Sequence, residues 1–529
     1  MDINSGAGTF GKAHLAGWIP SVTDDAPRFD PRTTSAAALQ ELLSSGKIKS
    51  VQILNEYYRQ ILAYNDYLKA VYQLAPGAIT RAKELDALRA SGNVLSPLHG
   101  IPVLLKDNIG TDPSFGMDNT GGNLALVGSF AAKNAPIVDR LIAAGAIILG
   151  KTTLSEMMWY KGTGVRCGWS ALHGQSQNPY IKGGIDMSDG VSGHSSPGGS
   201  SSGSAIAVAA GLAPMAIGTE TEGSLNAPST RHSLYTVKPT LGSVPNEGII
   251  PISFHLDTAG PMCSTVKDTA NLLTVLMANG RPDVPQGGYI TAMKGADGWK
   301  ELRVGVLDPE KFRYNEELQT PVPEAIEQIK ETTLKGYERI KGFSKEYHYD
   351  VSLRLDNDFD YEGANSLIDL MVADFEPDLD KYLSGTQNSK VSTTKELAAW
   401  NKAHAHLVLP PEYPNQEEIE RAIAFDQLSN RREKLMAHIT EVGKSLPETL
   451  EKYNIDVIIG PSDSWFSRYS AATGFTLCTL PLGRIDYNGR PIGLTAIARS
   501  EVTLVTLMSA HEATFPAREP PTAFLCERT

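Results

Sequence analysis

Cysteine is scarce in this chain. There are four, Cys167, Cys263, Cys478 and Cys526, widely spaced and with no CxxC pair. That excludes a disulfide framework and a cysteine-built zinc site, and it fits a reducing compartment. Basic charge is also short: 48 Lys and Arg stand against 60 Asp and Glu, for a net charge of -12 spread along the chain. Nucleic acid and anionic membrane are therefore poor partners. Long apolar runs are missing too. The most apolar stretch, LIAAGAIILG, has ten residues and is too short to cross a bilayer. No basic segment followed by an apolar one opens the chain, so no signal peptide is expected and the cytoplasm is the default location. What is present is ordinary: 41% apolar and 20% charged residues, enough for a sizeable core in one large α/β unit.

The pattern along the chain predicts an irregular arm over residues 1–33 and a single domain over 34–529. Three helices are expected between about 34 and 90, where apolar residues recur every three or four positions, with Ser35 as a cap and Gly46 as a stop. LHGIPVLLKDNIG reads as a buried strand and its exit loop. NAPIVDRLIAAGAIILGKTTL and SAIAVAAGLAPMAIGTETEGS each read as helix, glycine turn and strand. IDVIIGPSDSW and GRPIGLTAIAR return to strand character near the C-terminus. The fold class that follows is a mixed, mostly parallel sheet covered by helices on both sides. Residues 310–450 are charged and glycine-poor, and are expected to form a helical insertion or cap.

Three motifs suggest other chemistries. GAIILGKT at 145–152 spells a phosphate loop around Lys151, but its middle residues Ala146 to Leu149 are those of a buried strand, whereas phosphate binding needs a flexible glycine-rich loop before a helix. GSSSG at 199–203 spells the nucleophile elbow of an esterase centred on Ser201. A helix follows it, but no strand precedes it, and the downstream histidines, His255 and His511 among them, sit in no distinctive setting. His404 and His406 lie two apart in the helical region with no further ligand pattern, so no metal site is expected.

A fourth constellation is stronger. Lys106 ends the apolar run GIPVLLK, where partial burial would lower its pKa and free a neutral amine. HSSPGGSSSGSA at 194–205 holds six serines and three glycines and leads straight into an apolar helix. GTETEGSLNAP places Gly223 and Ser224 in a tight turn after a strand, where successive N–H groups can point at one oxygen.

Together, GIPVLLKDN, SPGGSSSGSAIAVAAGLAPMAIGTETEGSLNAP and the following KPT resemble the amidase signature family. The resemblance spans roughly residues 35–275 and resumes near 455–520. It implies an amidase acting through an acyl-enzyme on a Ser-Ser-Lys triad, with no metal or organic cofactor. Ser224 would be the nucleophile, Ser200, 24 positions earlier, a bridging serine after a cis peptide bond, and Lys106 the base. The N–H groups of Thr221, Glu222, Gly223 and Ser224 would form the oxyanion hole. Glu222 and Asn226 stand in place of the Gly and Arg common in the family, and the acidic Glu222, with GTETEGS, GIIPISFHLDTAGPM and CGWSALHGQSQNPY, resembles the peptide amidase branch, whose members remove the C-terminal carboxamide of peptides. Carbamate, aryl-amide and fatty-amide hydrolysis on the same triad, and a subunit of a tRNA-dependent amidotransferase, are the alternatives within the family. Substrate contacts are expected at Met117, Asn119, Gly121, Gly122, Trp169, Gln175 and Trp465. Residues 181–194 look like an insertion able to reshape the pocket entrance, and Ser233 and Thr236 stand where relatives carry glycine. The expected partner is a small-molecule or peptide amide, with the chain a monomer or homodimer.

Overall fold

The computed structural model describes residues 28–277 and 281–526, so most of the expected arm lies outside the described residues. Helices form over Ala36–Ser44, Ser50–Leu68 and Ala78–Ala90. Ser35 caps the first, its hydroxyl accepting the Ala38 N–H. The last two flank β1 (Val71–Leu74), a strand only four residues long that helical periodicity overlooks.

One eleven-stranded sheet organises the molecule. After β1 come β2 (Pro102–Lys106), β3 (Ile147–Thr152), β4 (Met215–Glu220), β5 (Tyr235–Lys238) and β6 (Thr258–Cys263). The set is completed by β7 (Arg303–Val306), β8 (Glu346–Tyr349), β9 (Val457–Pro461), β10 (Thr476–Arg484) and β11 (Pro491–Ala498). Their spatial order is β1-β3-β2-β4-β6-β5-β10-β11-β9-β7-β8. The sheet is mixed. Parallel pairing is confined to two blocks, β3-β2-β4 and β9-β7-β8, each built with helical crossovers. Antiparallel pairs join the blocks, including the short connection between β10 and β11. Both faces are covered. Along β9, Val457 and Ile459 enter one core while Ile458 enters the other, as strand alternation requires.

The expected helical insertion over 310–450 needs correction. Its first part, the helix Pro323–Phe343 and strand β8, completes the sheet edge: β8 pairs in parallel with β7, and Tyr337 and Ile340 join the main core. Charge on β8 and its four-residue length hid it from a pattern search. The helices from Ser366–Leu383 to Ser445–Lys452 do form a cap, with Leu367, Leu370 and Phe375 packed in a second core beside Ile458, Leu477 and Ile497 of the sheet.

Candidate active site

Strands β2 and β4 run in parallel, Leu105 opposite Ile217, so their C-terminal ends emerge side by side. Lys106 is the last residue of β2 and is fully buried. Its Nζ lies 2.7 Å from Ser200 Oγ, 2.9 Å from Ser201 Oγ, 2.9 Å from Thr219 Oγ1 and 3.3 Å from Thr219 O. Burial holds the amine at about 7, far below the ordinary 10.5, against the opposing pull of Asp257 and Glu220. The contacts suit a neutral amine. Ser201 gives its own proton to Thr219 O and so accepts from Nζ, while the nitrogen lone pair is left for the Ser200 hydroxyl.

The Ser/Gly run passes over this lysine and enters the helix Ser202–Ala209, every residue of which is buried. Gly203 is needed there, because a Cβ would lie 2.4 Å from the Thr153 carbonyl oxygen. Ser200 N–H points to Ser224 Oγ at 3.4 Å, and no hydrogen bond joins the two hydroxyls among the described residues. The cis bond implied before Ser200 is not found: the described peptide bonds are all trans. Ser200 Oγ reaches Lys106 from the trans form.

Ser224 closes the turn after β4. Gly223 takes φ +76, open to glycine and costly for other residues. Glu220 Oε2 accepts the Leu225 and Asn226 N–H groups at 2.7 and 2.9 Å, fixing the turn to the helix Asn226–Thr230. Asn226 Oδ1 accepts from the Thr495 hydroxyl at 2.7 Å. Thr221 donates to Asp257 Oδ1 at 2.5 Å, and Asp257 Oδ2 accepts the Ile252 and Ser253 N–H groups. Burial raises the Asp257 carboxyl to about 7, partly offset by the Thr221 hydroxyl. The N–H groups of Thr221, Glu222, Gly223 and Ser224 have no protein acceptor among the described residues.

Ser224 retains 8% exposure while Ser200 and Ser201 retain none, so only Ser224 of the three reaches open space. That space is a cavity of about 60 Å³ also lined by Trp159, Cys167, Tyr314, Leu318, Trp465 and Arg468. Tyr314 and Trp465 also border an outer cavity of about 890 Å³ beside the loop after β7. The 181–194 segment meets that loop at the cavity that Ser224 lines: Ser192 N–H donates to Leu318 O at 2.9 Å. Buried Arg231 holds the segment in place, donating to the Ser192 and Gly193 carbonyls and pairing with Asp463, which also pairs with Arg490.

Of the expected substrate contacts, only Trp465 lines the cavity. The other six do not line it and have partners of their own. Met117 is buried in the main core. Asn119 accepts from Lys151 Nζ at 2.7 Å. Gly121 O accepts the Met157 N–H, and Gly122 N–H donates to Asp107. Trp169 packs on Tyr413 with ring centroids 4.4 Å apart, and Gln175 donates to Cys167 O. The rival motifs also lose their geometry. Lys151 sits inside β3, fully buried, with no loop around it. Ser201 is tied to Thr219 and Lys106 with no histidine partner, and His511 meets Tyr235 instead. His404 stacks on Trp400. Ser233 adopts φ +54, a region that favours glycine and strains other residues.

Sequence reading missed Thr219, Asp257, Tyr314, Leu318 and Arg468. Thr219 and Asp257 stand within or near the motifs and could have been found from them. Tyr314 and Leu318 lie in a stretch with no motif signal. No described helix is long and apolar enough to cross a membrane.

A family model described as Amidase matches residues 52–500. A probable amidase of Arabidopsis thaliana is 30% identical over 490 residues, covering 90% of this chain and 88% of the relative. Among solved structures, the native peptide amidase of Stenotrophomonas maltophilia superposes with a TM-score of 0.79 at 31% identity, covering 93% of this chain and 98% of that one. The peptide amidase PAM in complex with the competitive inhibitor chymostatin gives 0.80 at 31% identity, covering 93% and 100%.

Proposed function

Given that the chain belongs to the amidase family and is an amide-hydrolysing enzyme, we propose that it works through an acyl-enzyme on Ser224, with Ser200 as proton bridge and Lys106 as base. The observation that carries this reading is the buried lysine 2.7 Å from Ser200 Oγ, with Ser200 N–H in turn on Ser224 Oγ. Neutral Lys106 draws the Ser200 proton as Ser200 takes that of Ser224; closing the two hydroxyls to hydrogen-bond distance is the tightening that substrate brings. Ser224 Oγ bonds to the amide carbon, and the carbonyl oxygen becomes an anion held by the free N–H groups of the 221–224 turn. One such donor is worth roughly 3–4 kcal/mol in hydrolases. The C–N bond breaks as the proton returns along Ser200 to the leaving nitrogen. Water then attacks the acyl-enzyme by the same relay and releases the acid.

The substrate we propose is the C-terminal carboxamide of a peptide or a related small amide. Two observations support it: the likeness to a peptide amidase, and the division of space into a cavity of about 60 Å³ at Ser224 and one of about 890 Å³ beyond. The inner cavity has room for about two waters, which suits a carboxamide with ammonia as leaving group, while the outer one takes a long acyl part. Ammonia release from a peptide amide, an aryl amide, a fatty amide and a simple carbamate tests the reading, with Ser224→Ala beside the wild type. Release from the peptide amide by the wild type alone supports it. A better rate on another substrate moves the specificity, and turnover by the Ser224→Ala variant refutes the mechanism.

A further inference from the structure

Glu222 stands out once the rest of the cavity is accounted for. It lines the same cavity of about 60 Å³ as Ser224, two residues from it. Its Oε1 accepts the Ser467 hydroxyl at 2.6 Å, which holds the carboxylate in place without neutralising it. Among the described residues, no ion pair reaches Glu222. Arg468 shares the cavity, but it is paired with Asp356. The other titratable groups whose charge is felt with that of Glu222 are Tyr314, which burial keeps protonated, and Glu220, whose carboxyl burial pushes up, and neither offers a positive charge. A carboxylate can accept about four hydrogen bonds, and among the described residues this one takes only the Ser467 hydroxyl. An uncompensated negative charge in so small a space attracts donors and cations and repels anions.

On the amidase reading above, we propose that Glu222 is a specificity residue: it receives an N–H or ammonium on the carbon next to the scissile carbonyl. The substrate class is therefore α-amino and α-acylamino carboxamides, the chemistry of an amino-acid or peptide amide. That donor is two bonds from the atom Ser224 attacks, which matches the closeness of Glu222 to the nucleophile. The same charge acts on product. Hydrolysis turns a neutral carboxamide into a carboxylate, and two carboxylates in one small cavity repel, so the acid is expelled. The Glu222 N–H serves the oxyanion turn whatever the side chain is, so the two roles of this residue separate.

The test compares three amides with one side chain and one leaving group: phenylalanine amide, N-acetylphenylalanine amide and hydrocinnamamide, which lacks the α-nitrogen. Values of kcat/KM are measured on the full chain for the wild type, Glu222→Gln, Ser467→Ala and Ser224→Ala, with inhibition by hydrocinnamate. The wild type should favour phenylalanine amide over hydrocinnamamide, and Glu222→Gln should cut that ratio by about tenfold or more, the worth of a charge-assisted hydrogen bond. Inhibition by hydrocinnamate should tighten in the same variant. Ser467→Ala keeps the charge but frees the carboxylate, and should reduce the ratio less. A purely structural Glu222 would lower all three amides together; an unchanged ratio and unchanged inhibition overturn the inference while leaving Ser224 intact. Turnover surviving in Ser224→Ala overturns the amidase reading and this inference with it.

Discussion

On the proposed mechanism, the burial of Lys106 sets the pH at which the enzyme works. Its amine titrates at about 7 because the end of β2 excludes water. At pH 7 such a lysine is about half neutral, whereas one with an ordinary pKa is neutral in roughly one molecule in three thousand. Burial thus contributes about three orders of magnitude in available base. The expected kcat/KM profile rises about tenfold per pH unit below the pKa and levels off above about pH 8. Lys106→Met should lower kcat/KM by at least about a hundredfold and abolish that limb. The carboxylates of Asp257 and Glu220 pull the pKa upward, so Asp257→Asn should move the limb to lower pH. Stability follows by linkage. The folded pKa lies below the unfolded one, so between about 7 and 10.5 the unfolded chain binds the extra proton and stability rises with pH. Denaturant midpoints across that window should climb in the wild type and climb less in Lys106→Met. A flat activity profile through neutral pH, a midpoint above about 9, or a limb that moves upward in Asp257→Asn would refute the reasoning.

Four further variants can be checked with the same amide assay and with denaturation. Ser200→Ala should cost about a hundredfold or more in kcat. Ser201→Ala should cost less and show itself mainly in stability, because Ser201 ties Lys106 to Thr219 and does not reach the cavity; equal losses of kcat would contradict the assignment. Gly223→Ala meets ordinary space near Ser467 but must hold φ +76, so kcat should fall while KM changes little, and folding should weaken by about 1–2 kcal/mol. Asp463→Ala strands the buried Arg231 and Arg490 and should destabilise the protein by about 3–5 kcal/mol in urea.

Lys106 and Ser224 were legible because one ends and the other follows a strand whose apolar run is written plainly in the sequence, whereas Ser200 was singled out only by the family resemblance of the Ser/Gly run that leads into the helix Ser202–Ala209. GIPVLLK and PMAIG leave few choices. What those strands do next was less legible. GSSSG points to Ser201 as a nucleophile, and only burial shows that its hydroxyl is consumed by Thr219. The segments around 117–123 and 169–175 are rich in glycine and polar groups, as pocket walls often are. In the folded chain those features serve close packing, such as Gly122 against Asp107 and Trp169 against Tyr413. The actual walls at Tyr314 and Leu318 come from a loop whose composition is that of any surface turn, and long-range placement alone gives them a role. Short strands failed for the same reason: in β1 and β8, pairing partners supply what four residues of pattern cannot.

The geometry also divides the work between kinds of structure. Lys106, Thr219 and Glu220 sit at the ends of two strands in fixed parallel register, so their spacing is set by backbone hydrogen bonds. Ser200 and Ser224 are held by the buried helix that follows one of them and by the Glu220 carboxylate beneath the other. None of these groups can shift without disturbing the sheet. The walls of the cavity are different. Ser192, Tyr314 and Trp465 come from three segments far apart in sequence, joined to one another by backbone contacts and by the Arg231-Asp463 pair. Loops tolerate change where strands do not. On the proposed mechanism the chemistry is therefore carried by residues fixed to the sheet, and substrate choice by the loop-built walls. A carboxylate such as Glu222, placed on the rigid turn but facing the variable wall, is positioned to couple the two.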